Sequence, residues 1–199
     1  MPEIFNYLTV DASAEGIYSE KGSKFIACIF PIETEAEVKS HLDNIKKKYP
    51  KANHYCYAYE IGPSNNFCKI HDDGEPNGTA GRPIHGQIKS KKLCNVLIIV
   101  VRYFGGTLLG TGGLTNAYKN AAAEVISKCI TKIKIMTNTL NLNFYFDQLN
   151  EVMKITKQKD VLIVTKELQN ECFMTINYPQ ELNNKIMKQL DKITGLRYH

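Results

Sequence analysis

An α+β fold in two domains is what the sequence predicts, and three observations predict it. Strand-like and helix-like patterns are interspersed along all 199 residues, a length that suffices for one large domain or two small ones with cores of their own. The patterning changes around residues 131–139. Beyond that point the order strand, helix, strand, strand, helix matches a ferredoxin-like unit. The boundary is set near Ile133, giving domains 1–132 and 133–199.

The elements of the first domain follow from residue spacing. A strand is predicted at 24–31, then a helix over 34–49, where Thr34 can cap and Val38, Leu42 and Ile45 repeat at helical spacing until Pro50 stops it. Residues 54–61 alternate as a strand does. Tyr55, Tyr57 and Tyr59 share one face, expected to pack under the helices, and His54, Cys56 and Ala58 share the other. Residues 83–93 read as a helix. The run NVLIIVV at 95–101 is apolar without alternation, as a strand buried on both faces is, and it delivers Arg102 to a glycine-rich loop. A helix follows over 114–129. In the second domain the reading is a strand at 139–146, a helix at 148–157, strands at 161–167 and 171–178, a helix at 181–193 and a short last strand at 196–199.

Composition sets the class. Hydrophobic residues make up 43% and charged residues 23%, the balance of a soluble globular protein rather than a disordered one. The longest apolar run, 96–101, is too short to cross a bilayer, and the first residues lack the basic and apolar regions of a signal peptide, so no membrane partner and a cytoplasmic location are expected. The six cysteines form no CxxC pair and mostly sit in apolar segments, where reduced core thiols are expected.

Function is sought where the glycines are. Nine of the thirteen lie between Gly74 and Gly113, eight of them in the runs DDGEPNGTAGRP at 72–83 and RYFGGTLLGTGGL at 102–114, a density that serves backbone shape or close approach. Charge is also uneven along the chain. Residues 54–81 sum to −3 and residues 82–132 to +7, with Glu124 the single acid in the second stretch. That stretch reads either as a polyanion-facing surface or as an ordinary solvated lysine-rich one.

Three chemistries are open at these loops. Asp72, Asp73 and Glu75 crowd three carboxylates beside His71, enough to hold a divalent cation or to supply an acid and a base. They serve equally as turn formers that cap the next helix or pair with Arg82 and Arg102. His54 with Cys56 and Cys68 with His71 make a zinc set, although the one-residue spacing of the first pair is unlike a usual knuckle, and core packing is the alternative. Gly105 to Gly110-Thr111 is spaced like a P-loop, but its lysine is missing. What survives is free N–H groups at Gly112, Gly113 and Leu114 that can meet an anion, helped by Arg102 and Lys119.

The segments HYCYAY at 54–59, DDGEPNGTAGRP and RYFGGTLLGTGGL together resemble the signatures of the YigZ/IMPACT family, strongly over residues 20–130 and, in the remainder, in the manner of its bacterial two-domain YigZ branch. The resemblance implies an N-terminal two-layer α/β domain like the fourth domain of elongation factor G and a C-terminal ferredoxin-like domain like its fifth. It also implies a link to translational control through a regulatory protein partner in eukaryotic members, and a suspected contact with nucleic acid or ribosomes in bacterial ones. No catalytic residue, metal or cofactor carries over. Where members usually have a basic residue, this chain has Asn116, with Lys119 one turn later as a partial replacement.

The expected function is that of a non-enzymatic binding protein of translation regulation, contacting RNA or the ribosome through Arg82, Arg102, Gly105, Gly106, Gly112, Gly113 and Lys119. Charge reversal at Arg102 is expected to weaken RNA binding and flatten its salt slope. The alternatives are an enzyme that holds metal on Asp72, Asp73 and Glu75 and phosphate on the glycine loop, and a regulator that binds only a protein partner. The sequence leaves the oligomeric state open.

Overall fold

The computed structural model describes residues 5–63 and 67–199. In chain order they form β1 (Asn6–Val10), β2 (Ala14–Glu20), β3 (Ser23–Pro31), α1 (Glu35–Lys48), β4 (His54–Ile61), β5 (Phe67–His71), α2 (Gly81–Ser90), β6 (Val96–Tyr103), α3 (Gly110–Ser127) and β7 (Thr131–Ile135). Then follow β8 (Thr137–Tyr145), α4 (Leu149–Thr156), β9 (Leu162–Glu167), β10 (Glu171–Pro179), α5 (Asn183–Leu190) and β11 (Arg197–Tyr198), with a short 3-10 turn leading into each of the last two helices. The described residues fall into two units, Tyr7–Lys134, and Ile135–His199 with residues 5–6. The architecture is α+β.

In the unit 7–134, a five-stranded sheet runs in the order β2-β3-β6-β4-β5, each neighbouring pair antiparallel. β6 is the central strand because both of its faces are apolar. Val96, Ile98 and Val100 meet α2 and α3, whereas Leu97, Ile99 and Val101 meet α1. Helices thus cover both faces, and α1 adds a partial third layer to the two-layer arrangement expected. The tyrosines of β4 lie on the α1 side, as their alternation predicts.

Four strands escape a reading from pattern. β2 is an edge strand joined to β3 by a two-residue turn, Lys21 at φ 45° and Gly22 at φ 78°, and β5 is an edge strand exposed throughout. β1 pairs with β7, neither of which alternates cleanly. Helix starts also differ. α2 begins at Gly81 rather than 83, and α3 at Gly110 rather than 114. The start of α2 is set by Asp72, a distant partner that local periodicity does not register.

The second unit holds the sheet β11-β8-β10-β9, antiparallel throughout, which with α4 and α5 gives the ferredoxin-like order and topology. Leu142, Phe144, Cys172, Met174 and Ile176 project from the sheet into a core shared with Val152, Ile155 and Ile186 of the helices. The opposite face is mixed, with exposed Tyr145, Leu162 and Phe173 beside polar side chains. A hydrogen-bonded row crosses it from Thr165 to Thr175 and on to Asn141, at 2.9 Å each. Among the described residues no helix is long and apolar enough to cross a membrane.

Candidate functional site

Asp72 organises the first glycine-rich loop. Its Oδ2 accepts from the Gly78 N–H at 2.8 Å, and its Oδ1 accepts from Ala80 at 3.0 Å and Gly81 at 2.8 Å. The carboxylate therefore caps α2 from nine residues upstream while folding the loop back on itself. Burial pushes its pKa up, but the N–H donors of Gly78, Gly81 and Ala80 outweigh that and hold it below the ordinary value. Asp73, at φ 46°, accepts from the Tyr55 N–H at 2.7 Å.

Glu75 turns inward. Its Oε1 accepts from Arg102 Nη1 at 2.6 Å and from the Tyr118 hydroxyl at 2.7 Å, and His54 Nε2 lies 3.8 Å away. His54 Nδ1 sits 2.8 Å from the Asp73 carbonyl, which only accepts, so Nδ1 carries the proton. Burial, then Cys56 and Glu75, push the Tyr118 phenol far above its ordinary range and keep it a neutral donor. The Cys56 thiol donates to the Asp72 carbonyl at 2.9 Å, and burial drives its pKa up as well. All three acidic side chains are thus engaged by the protein itself. Among the described residues no group of three His, Cys, Asp or Glu is placed to hold a metal. Cys68 is exposed on β5 and His71 stacks on Tyr57, so the four zinc candidates do not converge.

Arg102 is the second-last residue of β6, with 5% of its surface exposed. Its guanidinium lies between the rings of Phe25 and Phe104, 5.6 Å from each centroid. Nη1 is bound to Glu75, but Nε is buried and has no hydrogen-bond partner among the described residues. Beside it opens a cleft of about 490 Å³, lined by the apolar Phe104, Leu108, Leu109 and Leu114, by His54, Glu75 and Arg102, and by Gly110 and Thr111. Leu108 is 84% exposed.

The second glycine-rich run divides in two. Gly105 binds the Ser23 hydroxyl through its N–H at 3.1 Å and packs against the Gly22 backbone, while Gly106 is exposed at φ 86°. Gly110, Gly112 and Gly113 occupy the first turn of α3, whose N-cap, Leu109, supplies no side-chain acceptor. Because the helix starts four residues before 114, the amides lacking helical partners are those of the first turn, including Gly110, Thr111 and Gly112, while Leu114 is buried inside the helix.

The remaining predicted contacts lie on the surface. Arg82 is exposed in the first turn of α2 and Lys119 is exposed on α3. Within the basic stretch Lys128 pairs with Glu124 and Lys132 with Asp11. The sequence reading did not single out Tyr118 and Phe104, and it weighed His54 only as a zinc ligand. The available signal for Tyr118 was its place with Leu114, Ala117 and Ala121 on the core stripe of α3.

Comparison with known proteins adds a family. The model of the Impact N-terminal domain matches residues 21–126. An IMPACT family member of Haemophilus influenzae is 32% identical over 178 residues, covering 88% of this chain and 86% of that one. The Bacillus subtilis member YvyE is 39% identical over 121 residues, 61% of this chain, and the match spans 56% of its own length. A crystal structure described as that of a hypothetical protein is 26% identical, with a TM-score of 0.77 over 98% of this chain and 97% of that one.

Proposed function

The chain belongs to the IMPACT family, and from that membership we propose a non-enzymatic binding protein of translation regulation, acting in the cytoplasm and contacting RNA or the ribosome through its glycine-rich loops. The family resemblance supplies the link to translation. The single observation that carries the contact surface is the uncapped first turn of α3, which presents free amides beside a cleft that the underused donor Arg102 also lines. Arg82 and Lys119 add exposed positive charge on α2 and α3.

The engagement of Asp72, Asp73 and Glu75 by backbone amides, Arg102 and Tyr118 weighs against the metal-dependent enzyme. It also changes the test. Charge reversal at Arg102 would place two carboxylates together in a buried site, so loss of binding there would report unfolding. The exposed residues are the better probes. Titration against purified ribosomes and single- and double-stranded RNA at two salt concentrations should give salt-sensitive binding, weakened in Arg82→Glu and Lys119→Glu with a flatter salt slope. Absence of binding at low salt would remove this reading and leave a protein partner, for which the exposed Leu108 and Phe104 are the anchors to test.

A further inference from the structure

Resting on the reading above, we infer that the cleft beside Arg102 is a binding site for one nucleoside monophosphate unit, its phosphate on the first turn of α3 and its base between the apolar walls. Two independent features meet there. The first is α3 itself, an 18-residue helix whose N-terminus has no side-chain cap and whose first-turn residues Gly110 and Thr111 line the cleft. Such a terminus combines free N–H donors with the positive end of the helix dipole. The second is Arg102, nineteen-twentieths buried and a lining residue of the same cleft, whose buried Nε has no hydrogen-bond partner among the described residues. An unsatisfied buried donor calls for an explanation, and a ligand acceptor is one.

The polar lining of the cleft suits a base edge better than a second phosphate. Arg102 presents donors, while Glu75 receives Arg102 and Tyr118 on Oε1 alone and leaves Oε2 without a donor among the described residues. Adjacent donor and acceptor groups match the edges of nucleobases, each of which carries both kinds of group. A second phosphate beside Arg102 would meet the Glu75 carboxylate. Phe104 and Leu108 supply the flat and apolar surface on which a ring can lie. The volume, about 490 Å³, falls within the range of small-molecule sites.

Calorimetric titration of the full chain with AMP, GMP, CMP, UMP and inorganic phosphate tests the assignment. At least one nucleotide should bind one-to-one and about tenfold more tightly than phosphate. Gly112→Asp is the informative variant, because a Cβ at Gly112 meets nothing within 4 Å and a carboxylate in a first helical turn favours the fold while repelling phosphate. Its nucleotide affinity should fall by about tenfold or more with the melting temperature kept. Leu108→Ser should weaken nucleotide binding and leave phosphate binding unchanged. Two further arms separate the sources of the nucleotide. An RNA oligomer that binds more tightly with a 5′-phosphate, in a manner lost with Gly112→Asp, identifies an RNA end, and equal RNA affinities with tight mononucleotide binding identify a free nucleotide. Absence of mononucleotide binding at millimolar concentration, or unchanged affinity in Gly112→Asp, overturns the inference. Salt-sensitive RNA or ribosome binding that survives in Gly112→Asp without any nucleotide binding would do so while leaving the broader reading in place.

Discussion

Gly105 lies so close to Gly22 that a Cβ on Gly105 would stand 1.9 Å from the Gly22 carbonyl carbon. The β2–β3 turn and the loop after β6 are therefore locked backbone to backbone, and the lock fixes where the glycine-rich run departs from the sheet. Gly105→Ala must move one of the two backbones. It should cost about 1–3 kcal/mol in urea unfolding, whereas Gly106→Ala, with open space around it but φ at 86°, should cost less.

Arg102 and Glu75 form a buried pair whose halves depend on each other. Arg102→Ala should destabilise by about 3–5 kcal/mol because it strands Glu75, while Arg102→Met combined with Glu75→Leu should recover most of the loss. Equal destabilisation in the single and double variants would show that the packing of Phe25 and Phe104 around the guanidinium matters more than the charge pair.

Asp72 gives the fold an acid dependence with a definite sign. Its folded pKa lies below the ordinary 3.8, so the carboxylate stabilises above that value, and the contribution fades as pH falls through the lowered folded value. Asp72→Asn should be less stable than wild type at neutral pH by about 1–3 kcal/mol. The difference should shrink steadily as thermal melts are taken below pH 4.

Thiol chemistry should separate the cysteines by burial. Cys68 is exposed and should be alkylated first in the native protein. Burial, then Glu15, push Cys28 up to about 12, and burial pushes Cys94 up to about 11, so both should resist iodoacetamide at pH 8. Peptide mass spectrometry of the labelled chain reads this directly, and fast labelling of Cys28 would contradict the described packing.

Much of this fold is legible in the sequence because its core elements carry strong periodicity. β6 reads as buried on both faces from its unbroken apolar run, and β4 from its alternation. The ferredoxin-like order follows from the spacing of β8 to α5. Edge strands escape because they bury too little to alternate, as β5 illustrates with every residue exposed. The pairing of Glu75 with Arg102 was one of two readings open to the acidic loop, since spacing along the chain does not reveal a partner 27 residues away. Tyr118 escaped notice because a tyrosine on a core stripe looks like packing until the acceptor beside it is known.

β4 serves two masters one residue apart. His54 and Cys56 face the cleft and the helices α2 and α3, while Tyr55, Tyr57 and Tyr59 are packed against α1. A single-residue insertion or deletion in this strand would leave its composition almost unaltered and yet exchange the two sets, sending the tyrosines toward Tyr118 and the histidine beneath α1. The identity of the site is therefore held by parity, the odd or even count of residues from one turn to the next.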